Sequence, residues 1–467
     1  SIDNWQESPT FNDMTYGTYY FFAKVTGDSN HEDAVSSTGT VVAFREISSI
    51  SITSNPTKML YTPGATLDLT GLKITVTYTD NSTAEVTWTA DSGITASIPN
   101  GTSLTASHDG QTITITYGGK TAVTDSLLIY DEVPQQIDGV YQIGTVKELI
   151  WFAALVNGTL TDGTEQNTAA NAVLTADIDL GGRLWAPIAS STMFRSGSFS
   201  VNGTTNTSYS GIFDGQGHII SNFKIRTNSD ELTSGLFGAV TGTIENLGIV
   251  NASFDNGGAY DGRFGALCGL LVKDRFTKTA ATIQNCYVVG SSIKASGRIA
   301  GAVCGANYGG TIEDCYECGN TVTAHERIGH LVGDNHNDYD YNPMTGTVTN
   351  CYSDTQLAGT QGGTVNGGGV KDAKEFASGA VAYLLNGSTS EGSLAWYQNV
   401  DIGTKDNYPV LDSSHGIVYY IEGDPASYSN DPTGNPAQGI SVDITWGDLS
   451  FTYSDGTWNP ETHTYDG

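Results

Sequence analysis

Four copies of a two-part pattern between residues 235 and 352 constrain the fold more than any other feature of this chain. The first part, Gly235-Leu236-Phe237-Gly238, returns as Gly265-Ala266-Leu267-Cys268-Gly269, Gly301-Ala302-Val303-Cys304-Gly305 and Gly329-His330-Leu331-Val332-Gly333. The second, Ile244-Glu245-Asn246-Leu247-Gly248, returns as Ile283-Gln284-Asn285-Cys286-Tyr287, Ile312-Glu313-Asp314-Cys315-Tyr316 and Val348-Thr349-Asn350-Cys351-Tyr352. The spacing is unequal, with 29 residues from Cys286 to Cys315 and 36 from Cys315 to Cys351. A fixed rung joined by loops of variable length satisfies it. Such units bury side chains only against their neighbours. Extended rungs stack about 4.8 Å apart, so like residues fall on like. The pattern predicts a parallel stack with Ile244, Ile283, Ile312 and Val348 in one interior column. Asn246, Asn285, Asp314 and Asn350 should mark one bend, because Asn and Asp tolerate a left-handed backbone. The glycines should mark others.

Two helical stretches bracket this region and are expected to cover the ends of the stack. Thr145 and Glu148 form a capping-box pair before an apolar run, and Asn157-Gly158 supplies the stop. The second helix is expected from Asp372 to Leu385, ended by Asn386-Gly387. The chain has 467 residues with 57 glycines and only 15% charged residues, which suits short strands and turns. Its 50 acids against 20 bases leave a net charge of -30. That excludes a non-specific nucleic-acid binder, which needs a basic face. It also disfavours anionic membrane surfaces, and no run of 18 apolar residues exists to span a bilayer.

Four segments are expected. Residues 1–47 hold a few strands, an incomplete β module. Residues 48–131 carry runs such as Ile74-Thr75-Val76-Thr77-Tyr78 and Gln111-Thr112-Ile113-Thr114-Ile115, alternating apolar with Thr, separated by Pro63-Gly64, Asp80-Asn81 and Gly118-Gly119. That is the pattern of a β-sandwich. Tyr61-Thr62-Pro63-Gly64, Leu67-Asp68-Leu69-Thr70-Gly71-Leu72 and Ile115-Thr116-Tyr117-Gly118-Gly119-Lys120 resemble the bacterial Ig-like domains of surface proteins, in which the module is usually a spacer. Residues 132–420 hold the repeats. Residues 421–467 open on a turn-rich linker and continue into the start of a further β repeat. Ser1 and Gly467 look like cut ends of a longer chain.

Gly235-Leu236-Phe237-Gly238, together with Asp177-Ile178-Asp179-Leu180, Trp185-Ala186-Pro187-Ile188 and Tyr209-Ser210-Gly211-Ile212-Phe213-Asp214-Gly215-Gln216-Gly217-His218, resembles the GLUG-motif repeats of bacterial surface proteins. This resemblance implies an all-β chain: a right-handed parallel β-helix with short capping helices, preceded by the Ig-like sandwich. Asp214-Gly215-Gln216-Gly217-His218 also superficially resembles a polygalacturonase motif, but its place in a GLUG-type segment points to a structural turn.

Candidate site residues follow from the rung pattern. Tyr287, Tyr316 and Tyr352 each follow an interior Cys, so they should point outward in a column suited to stacking on sugar rings. The insertion from Asp334 to Asn342 is polar and aromatic. His336, Tyr339 and Tyr341 are its ligand-contact candidates, and Asp334, Asp338 and Asp340 could hold Ca²⁺ through their oxygens. No other cofactor is expected. His325-Glu326-Arg327-Ile328-Gly329-His330 misses the zinc-protease spacing, because its second His is at i+5 rather than i+4; these are expected to be turn residues. The six cysteines mostly occupy equivalent slots and should be buried thiols, since parallel side chains rarely give a disulfide dihedral. Asp255 with Asp261, or Asp314 with Asp334, could form a glycosidase pair, but so many acids make chance pairs common.

The expected function is therefore non-catalytic: part of a secreted adhesin at the bacterial cell surface or wall, binding host or environmental glycans or glycoproteins, monomeric as a fragment. The competing readings are an accessory recognition region of a large surface enzyme (a glycosidase or immunoglobulin A protease) and a polysaccharide-cleaving β-helix.

Overall fold

The computed structural model describes residues 17–35, 40–160, 164–189, 208–226, 233–257, 262–273, 279–295, 297–337, 344–354, 368–423, 427–434, 440–444, 451–455, 457–459 and 464–466. The chain divides into two compact units, Ser1–Asp131 and Glu132–Gly467. No helix among the described residues is long and apolar enough to cross a membrane.

In the first unit, Gly17–Phe21 pairs antiparallel with Thr40–Phe44. Ile47–Ser54, Lys73–Tyr78 and Thr83–Thr87 form one antiparallel sheet, and Thr95–Ala96, Thr112–Tyr117 and Lys120–Ser126 form a second. Leu60–Tyr61 and Leu128–Ile129 add a parallel pair. Ile50, Ile74 and Val76 from the first sheet share a core with Ile113 and Ile115 from the second, as their alternation with threonine requires. Lys120–Ser126 was not expected as a strand. Its residues are mostly exposed, so it lacks the apolar alternation. The signal lies instead in Gly118-Gly119, whose φ values of 53° and 75° turn the hairpin.

The second unit is built of parallel strands stacked rung on rung. One long sheet runs from Val140–Ile143 through Asn171–Leu174, Ile212–Asp214, Thr243–Val250 and Thr282–Val289 to Thr311–Glu313, Tyr316–Cys318, Thr347–Thr349 and Tyr352–Ser353. Three further four-stranded parallel sheets stand beside it. The interior column is in register as expected: Ala172, Phe213, Ile244, Ile283, Ile312 and Val348 are consecutive partners and all are buried.

The bend column also forms. Asn246, Asn285, Asp314 and Asn350 have φ between 48° and 52°. Their side chains bond along the stack: Asn285 Nδ2 donates to Asn246 Oδ1 at 3.1 Å and Asn350 Nδ2 to Asp314 Oδ1 at 2.7 Å. Gln216-Gly217, in the polygalacturonase-like stretch, is a left-handed turn with φ of 49° and 86°, capped by Asp214 accepting from Gln216 N.

Helix α1, Val146–Asn157, has the expected ends: Thr145 Oγ1 accepts from Glu148 N, Glu148 Oε2 accepts from Thr145 N, and Gly158 closes it with φ 67°. Its Phe152 ring packs 6.0 Å from Phe213, against the first rungs. The second helical stretch differs from expectation in two ways. It is broken into α2, Ala373–Ala377, and α3, Ala380–Leu385, because Gly379 takes φ 91°. It also lies along the side of the long sheet: its Phe376, Val381 and Leu385 share a core with Tyr287, Tyr316 and Tyr352 on three successive rungs. The expected boundary at 420/421 falls inside a hairpin, since Tyr419–Ile421 pairs with Ser427–Ser429.

Candidate functional site

The tyrosine column exists, but it is not a binding face. Tyr287, Tyr316 and Tyr352 are in register, and the first two rings stack at 5.2 Å with 3° between their planes. All three are at most 4% exposed. Trp396 lies 5.3 Å from the Tyr316 ring, Phe376 lies 5.5 Å from it, and Tyr316 donates its hydroxyl proton to Pro409 O. The repeat fixed which way these rings point. It carried no sign that residues 372–418 fold back over them.

The insertion is likewise redistributed. Asp334 is 1% exposed, its carboxylate ion-paired with Arg327 and accepting from Tyr308 at 3.3 Å. It serves that buried network, while Asp338 and Asp340, expected with it as Ca²⁺ ligands, lie outside the described residues. His336 lies on a short strand, His336–Asn337, pairing with Met344–Thr345. Tyr339 and Tyr341 are outside the described residues as well. Of the carboxylate pairs, the side chains of Asp255 and Asp261 also fall outside them, while Asp314 accepts from Asn350 and Asp334 from Tyr308.

His330 sits at the bend between Arg327–Gly329 and Val332–Asp334, as expected, but its side chain is buried. It lies in the interior column continuing Leu236, Ala266 and Ala302, linked by Leu236 N to Ala266 O, Ala266 N to Ala302 O and Ala302 N to His330 O. Glu317 replaces an aliphatic in another interior column: Ile220, Ile249 and Val288 precede it, and Ser353 follows. Glu317 is fully buried. Its oxygens accept from Asn320 Nδ2 at 2.9 Å, from Ser353 Oγ and from Asp354 N at 3.3 Å. His330 Nδ1 stands 3.6 Å from Glu317 Oε1. The carboxylate draws the imidazole pKa above its usual range, against the opposing effect of burial. Aligning Cys286-Tyr287-Val288 with Cys315-Tyr316-Glu317 would have exposed the substitution in sequence.

With the tyrosines covered, the open polar surface of the long sheet is its outer face. Thr243, Thr282, Thr311 and Thr347 form one column, and Asp214, Glu245, Gln284, Glu313 and Thr349 the next. Their side chains are half-buried or exposed. Burial and the neighbouring Asp214 raise the Glu245 pKa. The folded state therefore favours protonated Glu245. Its stabilising share is complete below the usual glutamate value of about 4.3 and is lost as pH rises through the raised value. Glu245→Gln should melt above the wild type at pH 7, with the gain vanishing toward about pH 3.5. Thermal melts across that range check this; a lower melting temperature at pH 7 would contradict it.

All six cysteines are free. Cys286, Cys315 and Cys351 fill one interior column and Cys268 faces Cys304. Burial pushes the Cys268, Cys315 and Cys351 thiols up. Cys318 is half-buried, and burial with Asp354 and Glu317 pushes it up to about 12. A thiol reagent should therefore react slowly with at most one thiol in the native chain and with six after unfolding without reductant. Fewer than six would mean disulfides.

Residues 54–125 match the family model of the bacterial Ig-like domain (group 3). Domains of this type occur in bacterial surface proteins. No curated protein matches the sequence.

Proposed function

We propose that the chain is a non-catalytic part of a secreted bacterial adhesin, with the Ig-like domain as spacer and the parallel-sheet stack, a right-handed β-helix of GLUG type, as the presenting body. The observation that carries this reading is the bacterial Ig-like match at 54–125 in one chain with a repeat stack. The surface assigned to glycan or glycoprotein contact is the outer face of the long sheet. Its hydroxyl, amide and carboxylate groups recur about every 4.8 Å along the stack, and sugars are recognised by such donors and acceptors.

Binding of the full chain to glycan and mucin arrays tests this. The reading expects at least one glycan class to bind, with affinity falling about tenfold or more in a Gln284→Ala/Glu313→Ala variant that still folds. An absence of binding to every host glycan and glycoprotein would reduce the role to a stalk. Sugar release by the isolated chain would overturn the non-catalytic assignment.

A further inference from the structure

We propose that Glu317, His330 and Asp354 form an interior site for a divalent transition-metal ion of the zinc class. One ligand atom from each lies within 4.8 Å of the others. Their placement is unlike anything the earlier rungs carry. Glu317 follows Ile220, Ile249 and Val288 in its column, and His330 follows two alanines in its own. A carboxylate in such an interior is costly unless its charge is met.

The second observation is His330 itself. Its side chain is 8% exposed and its Nδ1 faces Glu317 Oε1 at 3.6 Å, an ion-pair distance beyond hydrogen-bond reach, and that nitrogen makes no hydrogen bond among the described residues. Buried polar atoms are almost always hydrogen-bonded, so one left facing a buried carboxylate without a hydrogen bond calls for an explanation. A cation supplies it. The carboxylates are held from behind: Asn320 and Ser353 donate to Glu317, and Gly319 N donates to Asp354 Oδ2 at 2.9 Å. Such outer contacts orient metal ligands.

The donor set selects the ion. One imidazole and two carboxylates, with no thiolate, suit Zn²⁺ and its neighbours rather than Cu⁺, and Ca²⁺ wants six or more oxygens. Ligand atoms sharing an ion with bonds of about 2.1 Å stand about 3.4 Å apart. The Glu317–His330 separation already meets this. The half-buried Asp354, with a carboxylate oxygen within 4.8 Å of both, would have to move closer to complete the set. Glu317 and His330 belong to one rung and Asp354 to the next, so the ion would tie the two together.

The test uses the full chain, stripped with chelator and titrated with Zn²⁺ by calorimetry at pH 7.5. One equivalent should bind with Kd below about 10 µM and raise the melting temperature. Co²⁺ in the same site should give the visible absorption of a nitrogen- and oxygen-ligated ion. Glu317→Gln and His330→Gln should each weaken Zn²⁺ binding at least about tenfold, whereas the exposed His325→Gln should bind as the wild type. Failure of the wild type to bind Zn²⁺ at about 100 µM overturns the proposal, whether or not the variants fold. So does wild-type affinity in both Glu317→Gln and His330→Gln. Neither result bears on glycan binding, which is assigned to the outer face.

Discussion

Replacing Tyr316 by alanine is expected to cost the 132–467 unit about 3–5 kcal/mol, the range for truncating a large buried aromatic ring. Tyr316 is fully buried, packs against Tyr287, Trp396 and Phe376, and anchors the returning chain through Pro409 O. The loss should appear in denaturant unfolding. Trp396 fluorescence should change earlier than in the wild type, because its ring loses its neighbour. Tyr316→Phe keeps the ring and removes only the hydroxyl bond, so it should cost about 1–2 kcal/mol. An outward, glycan-stacking tyrosine would behave differently: the alanine variant would keep its stability and lose binding. A cost below about 1 kcal/mol would therefore contradict the covered column.

Gly265→Ala should be as severe for a different reason. The glycine has no left-handed φ; what it supplies is the missing Cβ. A methyl there would clash with Cys268 O and meet Gly305 N at 2.7 Å and Cys304 Cα at 2.9 Å. All three are backbone atoms, two of them on the next rung, so relief requires moving the stack. The expected cost is about 3 kcal/mol or more, at the upper end of core overpacking. Gly301 and Gly329 meet equivalent contacts, with the carbonyls of Cys304 and Val332. Gly369 is the control. It has open space on the Cβ side and an ordinary φ, so Gly369→Ala should change stability by no more than about 0.5 kcal/mol. Equal melting of the two variants would remove the steric account of the repeat glycines, which the sequence pattern suggested were bends.

Much of the stack was legible because its contacts are local in the repeat. Each rung touches the next, so Ile244 over Ile283 over Ile312 and the left-handed Asn bends follow from aligning the chain with itself. The capping box at Thr145 and Glu148 was equally local. What escaped was long-range or singular. Nothing in Cys315-Tyr316 announces that Trp396 and Phe376 will cover it, and the break at Gly379 sits inside an otherwise helical pattern. The cluster of Glu317 and His330 is a departure from the repeat. The repeat already set His330 under Ala302, but the aligned second element stopped at Cys315-Tyr316, one residue short of Glu317, so the two were not seen together. Asp334, read as part of an open loop, is drawn inside because Arg327, seven residues earlier, returns beside it on the same rung.

Every one of these assignments depends on the register of the long sheet, and inter-rung distance measures it directly. Val173, Asp214, Glu245, Gln284, Glu313 and Thr349 are consecutive partners across it. Spin labels at Val173→Cys and Thr349→Cys, with Cys318→Ser removing the half-buried native thiol, stand five rungs apart. Pulsed electron paramagnetic resonance should give a narrow distribution centred near 24 Å, within the reach of the label tethers. Moving the first label to Asp214→Cys should shorten it by about 5 Å. A broad distribution, or distances that do not step down by one rung, would contradict the stacked fold and with it the exposed face, the covered tyrosines and the interior metal site.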